Sequence, residues 1–282
     1  MVLSPASLTV VATPIGNLAD LTPRAREALE QADRICCEDT RRTRTLLSAL
    51  NIEGGGRLVA VHEHNEASRC AEVISWVGAG ESVVLVSDAG TPIISDPGSR
   101  IVEAVLNAGL AVTTAPGPSA VVAAISVAGI PADRFCFEGF LPRRGAERRA
   151  RLARIAAEDR AVVLYESARR VGGTLAELAS ICEPTRRVAM VRELTKLHEE
   201  VQRGALADLA ASLADVELLG EVVLVLEGTS AEGEVSEEVL RGAVAEALGR
   251  GLSVRDAADA AAAATGAPRR AAYAIALEGS GS

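Results

Sequence analysis

The residues best suited to chemistry in this chain sit in short segments rich in glycine, proline and small side chains. Thr13-Pro14-Ile15-Gly16-Asn17 is the first. Ser87-Asp88-Ala89-Gly90-Thr91-Pro92, continued by Ile93-Ile94-Ser95-Asp96-Pro97-Gly98, is the second, and Ala115-Pro116-Gly117-Pro118-Ser119-Ala120 is the third. Glycine lets a backbone approach a ligand closely, and proline holds the shape of the loop that does so. One such segment is an ordinary tight turn; three together favour a small-molecule site. No G-x-G-x-x-G follows a strand and no G-x-x-x-x-G-K-[ST] occurs, which removes the usual dinucleotide fingerprint and the NTPase phosphate loop.

Four polar constellations accompany these loops. Glu38-Asp39-Thr40-Arg41 stands at a strand-to-helix junction, where Asp39 caps the helix or the carboxylates face a substrate. His62-Glu63-His64-Asn65-Glu66 puts two histidines on one side of an extended segment. A metal site, a substrate contact and structural hydrogen bonding all fit that spacing; with only three histidines in the chain a metal would need carboxylates, and none is assigned. Arg143, Arg144, Arg148, Arg149, Arg151 and Arg154 form the densest charge cluster, and Arg144, Arg148 and Arg151 share a face if the segment is helical. Contact with a nucleic-acid backbone explains such a cluster better than a plain solvated face, and Arg41, Arg42 and Arg44 extend it. Arg192-Glu193-Leu194-Thr195-Lys196 orients a substrate, closes a pocket, or is a structural Arg–Glu pair.

The loops need a scaffold, and the hydrophobic pattern supplies one. Strands are predicted at Leu8–Ala12, Arg34–Glu38, Leu58–Val61, Val83–Ser87 and Leu110–Thr114, with helical patterns between them. Thr22-Pro23 and Asp96-Pro97 read as helix starts. This alternation calls for a mostly parallel sheet with helices on both faces. A second, less regular set of strands is predicted at Arg134–Phe137, Ala161–Tyr165, Arg187–Val191 and Glu221–Leu226. Thr229–Glu237 reads as a polar linker, and the remainder as helical. Ser253 caps one of these helices and Thr265-Gly266 stops it, giving either a helix-turn-helix or a plain helical hairpin. The division expected is 1–115, 116–228 and 235–282.

Bulk composition bounds the function. The net charge of -9 argues against a protein that coats nucleic acid over its whole surface, though not against a local basic patch. Aromatics are only 2 %, so base stacking on aromatic platforms is not expected as a main binding mode. Five cysteines without a C-x-x-C give neither a disulfide framework nor a zinc ribbon. No signal peptide is read and no apolar run reaches transmembrane length, so a soluble cytoplasmic protein is expected, with no membrane partner.

The segments VATPIGNLADLTPRA, CEDTRRTRTLL, HEHNEAS, VSDAGTPIISDPG, APGPSAVVAA, FEGFLPR, YESARR, RELTKLHEE and GEVVLVLEG, in this order, resemble the motifs of the tetrapyrrole-methylase superfamily, and most closely its ribosomal RNA branch. The resemblance covers roughly residues 8–228 and extends to the C-terminal helices. It implies an α/β fold of two domains with a small helical appendage, a homodimer, and S-adenosylmethionine bound in the cleft between the α/β domains. The activity implied is methylation of the ribose 2′-hydroxyl of a cytidine in small-subunit ribosomal RNA, free or within the ribosomal subunit. Carried over motif by motif, it places the cofactor against Pro14, Ile15 and Gly16, against Asp88, Ala89, Gly90, Thr91, Pro92 and Ile94, and against Ser119, Ala120 and Tyr165. The chain departs from the pattern after Tyr165-Glu166-Ser167, where Ala168-Arg169 replaces the usual Pro-His and Arg169 and Arg170 become candidate phosphate contacts.

A ribose hydroxyl is a poor nucleophile until its proton has somewhere to go. Glu38, Asp39, His64 and Glu166 each follow a strand end and are the candidate acceptors; Arg41, Arg143, Arg144, Arg148 and Arg149 are the candidate RNA contacts. Competing readings are a methylase of a corrin-like or porphyrin-like ring, a metal-dependent hydrolase built on the His-Glu-His segment, and a non-catalytic RNA-binding module.

Overall fold

Short β-branched runs flanked by amphipathic helices build the first half of the molecule. The structure is a computed structural model that describes residues 6–62, 64–214, 216–229 and 237–279. Strands β1 (Ser7–Val11), β2 (Arg34–Cys37), β3 (Leu58–Ala60), β4 (Val83–Val86) and β5 (Ala111–Ala115) form a wholly parallel sheet in the order β3-β2-β4-β1-β5. Side chains alternate across it. Val84 and Val86 of β4 pack with Leu29 of α1 (Pro23–Gln31) and Leu47 of α2 (Thr40–Ala49) on one face. Val83 and Leu85 pack with Val73 of α3 (Glu66–Gly78) and Ile101 of α4 (Ser99–Asn107) on the other. The connection leaving β1 and that leaving β4 therefore depart to opposite faces from neighbouring strands. That is the switch point at which open α/β sheets leave a crevice beyond their strand ends.

Local signals set two of the helix starts. Thr22 accepts a bond from the Ala25 amide with Pro23 in the first turn, and Asp39 accepts from the Arg41 amide. The start expected at Asp96-Pro97 falls later: α4 begins at Ser99 with Gly98 in the cap position and no side-chain cap of its own. Its free amides are met from afar by Glu66 Oε1, which accepts from Gly98, Arg100 and Ile101. Adjacent sequence does not announce a cap supplied by another helix.

The second sheet is mixed. Strands β6 (Phe135–Phe140), β7 (Ala161–Ser167), β8 (Arg187–Arg192), β9 (Glu200–Ala205) and β10 (Glu221–Leu226) run in the order β6-β7-β10-β8-β9, and only the β6–β7 pair is parallel. Strand β9, Glu-Val-Gln-Arg-Gly-Ala, was not expected; it is polar and lies at the sheet edge, where one flank needs no partner. Helix α5 (Ala120–Ala128) covers one face over Val163, Val191, Val223 and Val225. Helices α6 (Ala146–Ala157), α7 (Val171–Ala179) and α8 (Leu206–Ser212) cover the other over Leu164, Met190 and Leu224.

Residues 1–227 and 228–282 are separate compact units. The linker reading of Thr229–Glu237 lies almost wholly outside the described residues. The second unit is three helices, α9 (Glu237–Gly249), α10 (Val254–Thr265) and α11 (Arg269–Gly279), packed through Leu240, Val244 and the alanines 258, 261, 272 and 276. Ser253 caps α10 by accepting from the Asp256 amide, and Gly266 ends it at φ 77°. The five cysteines carry free thiols, and burial pushes Cys36 up to about 12.

Candidate active site

The glycine and proline loops converge at the switch point and are tied to one another there. The Thr13 amide donates to the Gly90 carbonyl (2.9 Å) and the Gly90 amide returns the bond to Thr13 (3.0 Å). Thr91 Oγ1 donates to the Pro118 carbonyl at 3.0 Å, which brings in the third loop. Gly90 holds φ +80°, and a Cβ there would stand 3.3 Å from Ile15 Cγ2. The left-handed angle favours glycine, and the close approach to Ile15 adds to the cost of any side chain there. Gly16 is glycine for another reason: a Cβ would meet Thr195 Oγ1 at 2.8 Å, in the loop after β8.

Above the tied loops lies a cleft of about 440 Å³ between the two sheets of the first unit. One wall is apolar, with Ile15, Ala120, Val191, Leu194 and Val223; the other carries Glu38, Asp88 and Asp96. Burial and the neighbouring Asp88 push the Glu38 carboxyl up, and burial pushes Asp96 up to about 6. Asp88 is held by the Asp39 amide (3.2 Å) and by Arg42 (3.3 Å). Ser119 sits at the start of α5 but makes no capping bond, so its hydroxyl is open to a ligand, while the Val121 amide of the first turn is met by the Tyr165 hydroxyl. At the mouth, Tyr165 packs edge-on to Phe137 (4.8 Å between centroids) and tilted to Phe140 (5.4 Å), whose ring is half exposed. Three of the chain's few aromatic residues thus gather at one place, which the low total hid.

Known proteins match this chain over most of its length. The profile of Tetrapyrrole (Corrin/Porphyrin) Methylases matches residues 7–210, and that of the RsmI C-terminal HTH domain matches residues 234–280. The chain belongs to the tetrapyrrole methylase family. Among its relatives, a protein of Mycobacterium tuberculosis named ribosomal RNA small subunit methyltransferase I is 45 % identical over 93 % of this chain and 91 % of its own. One of the same name from Escherichia coli O157:H7 is 41 % identical over 99 % and 97 %. Among solved structures, the methyltransferase CobJ superposes with a TM-score of 0.57 at 23 % identity, covering 79 % of this chain and 94 % of that one. A Thermus thermophilus uroporphyrin-III C-methyltransferase complexed with S-adenyl homocysteine superposes with 0.54 at 19 %, covering 78 % and 96 %. At these identities the structures show the fold alone.

Within this tetrapyrrole methylase the residues expected at the site fall into three groups. Around the cleft stand Ile15, Asp88, Ala89, Gly90, Thr91, Ile94, Ser119, Ala120 and Tyr165, together with Glu38. Pro14, Gly16 and Pro92 shape the loops without lining the cleft. The remaining acceptor candidates stand in other surroundings. Asp39 is a helix cap whose carboxyl the Arg41 guanidinium holds far below the usual carboxylate range. Glu166 lines the cleft but is 2 % exposed, and its oxygens accept from the Ser167 amide (2.9 Å), Thr174 Oγ1 (2.7 Å) and Arg170 (3.1 Å), so it braces α7. His64 is exposed and lies outside the cleft lining. The His62 carbonyl accepts from the Asn65 and Glu66 amides, so the chain turns there, and the His62 and His64 rings lie edge-on with centroids 6.1 Å apart; Glu63 lies outside the described residues. Among the described residues no group of three His, Cys, Asp or Glu side chains could hold a metal.

The arginine cluster also divides. Arg148 is buried, giving bonds to Glu177 (2.9 Å), the Pro142 carbonyl (3.0 Å) and Thr174 (2.9 Å), and Arg151 is taken up by Glu138 and the Phe140 carbonyl. The Arg148 guanidinium, expected at RNA, is thus occupied by bonds within the protein. Arg143 and Arg144 precede α6 and Arg149 follows its first turn; all three are exposed with no side-chain partner among the described residues. Arg41 is exposed but pairs with Asp39 at 2.7 Å, and Arg170 serves Glu166 and the Leu141 carbonyl. The loop after β8 contributes Leu194 and Lys196 to the cleft wall. Its Arg192 and Glu193 do not pair with each other: Arg192 pairs with Glu200 and Glu193 with Lys196. Asp96, Phe140 and Arg42 line the cleft and were not singled out for it. Asp96 was read as a helix start, and the Asp-Pro pair looks the same in both roles.

Proposed function

We propose that this chain transfers the methyl group of S-adenosylmethionine to the ribose 2′-hydroxyl of a cytidine in small-subunit (16S) ribosomal RNA, acting in the cytoplasm as a homodimer. The observation that carries the reading is likeness over nearly the whole chain, both units included, to proteins named ribosomal RNA small subunit methyltransferase I. The cleft suits the cofactor. Its volume is in the range of small-molecule sites, the left-handed Gly90 keeps the floor free of a side chain, and the uncapped Ser119 offers its hydroxyl. The residues that would hold it are Ile15 and Asp88 to Thr91 on one side, Ser119 and Ala120 on the other, and Tyr165 at the end. When bound, S-adenosylmethionine supplies a methyl group already activated on a sulfonium. The protein's share is to place the ribose oxygen in line, exclude water and take up the hydroxyl proton.

Arg143, Arg144 and Arg149, with Arg41 and Arg42 nearer the cleft, would meet RNA phosphates, which position a strand without reading its sequence. The division 1–115, 116–228 and 235–282 belongs to this reading, with the last part aiding RNA capture. No helix among the described residues is long and apolar enough to cross a membrane. A corrin-like or porphyrin-like substrate is the competing reading. A small ring, however, needs neither the free arginines nor the appended helices. The test is incubation with methyl-labelled cofactor and purified small ribosomal subunits or naked RNA, followed by mapping of the label, with light scattering for the dimer. Label on a cytidine ribose is expected; label on a base, or none on ribosomal RNA, overturns the reading.

A further inference from the structure

Five carboxylates line the cleft, and four of them are paired with or face a cation. Asp88 is bonded by the Asp39 amide and Arg42, Glu166 by Ser167, Thr174 and Arg170, and Glu221 by Lys196 at 2.8 Å. Glu38 has Arg42 among its charged neighbours. Asp96 has no ion pair among the described residues. Around it stand Ser87 at the end of β4, the carboxylates of Glu38 and Asp88, and, across the cleft on β7, the Tyr165 hydroxyl.

We propose that Asp96 is the proton acceptor for the ribose hydroxyl, a role that rests on the methyl-transfer reading above. The backbone around it is built to hold it. Ile93 and Ser95 both adopt left-handed angles (φ 79° and 67°), and neither is glycine. A β-branched residue at positive φ is a genuine outlier, and such strain persists only where the surroundings over-determine it. The surroundings are visible. The β6 bulge at Gly139 closes on Ser95, where a Cβ would stand 3.0 Å from Ser95 Oγ, and Ile93 packs over Gly98. The same loop carries Asp88 to Thr91 at one end and Asp96 at the other, so one strained segment holds both the proposed cofactor contacts and the acceptor.

The chemistry balances. The new carbon–oxygen bond forms at the ribose oxygen and its O–H bond breaks. The carbon–sulfur bond of the methyl donor breaks with its electron pair left on sulfur, and the proton comes to rest on a carboxylate oxygen of Asp96. Burial, with Glu38 and Asp88 close by, lifts that carboxyl from 3.8 to about 6, against a partial pull downward from the Ser87 hydroxyl. An acceptor of that strength is ionised at neutral pH yet basic enough to assist, and its partial exposure lets the proton pass on to water.

Two readouts on Asp96→Asn test the assignment, one of them free of turnover. Folding raises the pKa of this acid, so the folded state binds its proton more tightly, and ionisation costs stability as pH rises from 3.8 through about 6. Without RNA or cofactor, Asp96→Asn is therefore expected to melt above the parent protein on the alkaline side of that window, with the gain shrinking on the acid side. In single-turnover methylation of small subunits the same variant is expected to lose about 10²–10⁴-fold in rate, with S-adenosylmethionine affinity by calorimetry unchanged. Parent protein that labels the RNA beside an Asn variant of undiminished rate overturns the acceptor role alone. So does a loss of that size in Glu38→Gln with none in Asp96→Asn. Parent protein that labels no ribosomal RNA overturns the methyl-transfer reading and this inference with it.

Discussion

Replacing Arg148 by alanine tests whether the arginine cluster is one RNA-binding surface or two populations. Its guanidinium gives bonds to the Pro142 carbonyl (3.0 Å), Thr174 Oγ1 (2.9 Å) and Glu177 (2.9 Å), and the side chain is 7 % exposed. Leaving a buried acceptor without its donor costs about 1–3 kcal/mol. The Pro142 carbonyl is only part-buried and, like Thr174, which keeps its bond to Glu166, sits at the low end. Glu177 is half exposed and is taken up by water, so the ion pair adds little. With the lost packing of the aliphatic stem, the total is about 3 kcal/mol. At roughly 2–4 °C per kcal/mol for a domain of this size, the melting point falls by about 6–12 °C. Arg143 and Arg144 have no partners to lose, so their replacement stays within about 0.5 kcal/mol. Thermal unfolding, paired with RNA binding across a salt series at a temperature where both variants are folded, separates the two. Arg148→Ala should melt early with an unchanged salt slope. The Arg143→Ala/Arg144→Ala pair should melt normally, with a slope shallower by about one unit per lost phosphate contact. An Arg148→Ala protein that melts with its parent and binds RNA with a shallower slope would refute this division.

Gly90→Val should weaken S-adenosylmethionine binding by calorimetry, because φ +80° strains a β-branched residue and its side chain would enter the floor beside Ile15; unchanged affinity removes the cofactor from this floor. Glu166→Gln should lower the melting point, since its carboxylate braces Ser167, Thr174 and Arg170, and turnover measured where the variant remains folded should survive. A normal melting point with a collapsed rate would return it to the list of acceptors. Asp39→Asn should destabilise at neutral pH. A carboxyl lowered by folding contributes stability above its ordinary 3.8 and loses it as pH falls below, so denaturant midpoints of variant and parent should converge in acid. A chain ending at Gly228 should stay folded and bind cofactor while losing RNA affinity; failure to fold would make the C-terminal helices part of the core.

The sequence by itself determined the strand runs of both sheets apart from β9, the caps at Thr22, Asp39 and Ser253, and the three loops of the cleft. Each is a local matter: alternation, a cap beside its amides, a glycine where the backbone turns left-handed. It also carried the family, through the order and spacing of its motifs. Tertiary structure decided which polar residues are free. Arg148 and Arg143 read alike in the sequence, yet one is spent on Thr174 and Glu177 and the other on nothing among the described residues. Glu166 reads as a carboxylate after a strand and Asp96 as a helix start; in the fold one is ringed by donors at α7 and the other faces acids and a tyrosine from across the cleft. Glu66 in α3 caps α4, a bond between residues 34 positions apart for Arg100. Whether a charged side chain is a partner or a tool depends on groups that arrive from distant elements only when the chain has folded, and local spacing contains no trace of them.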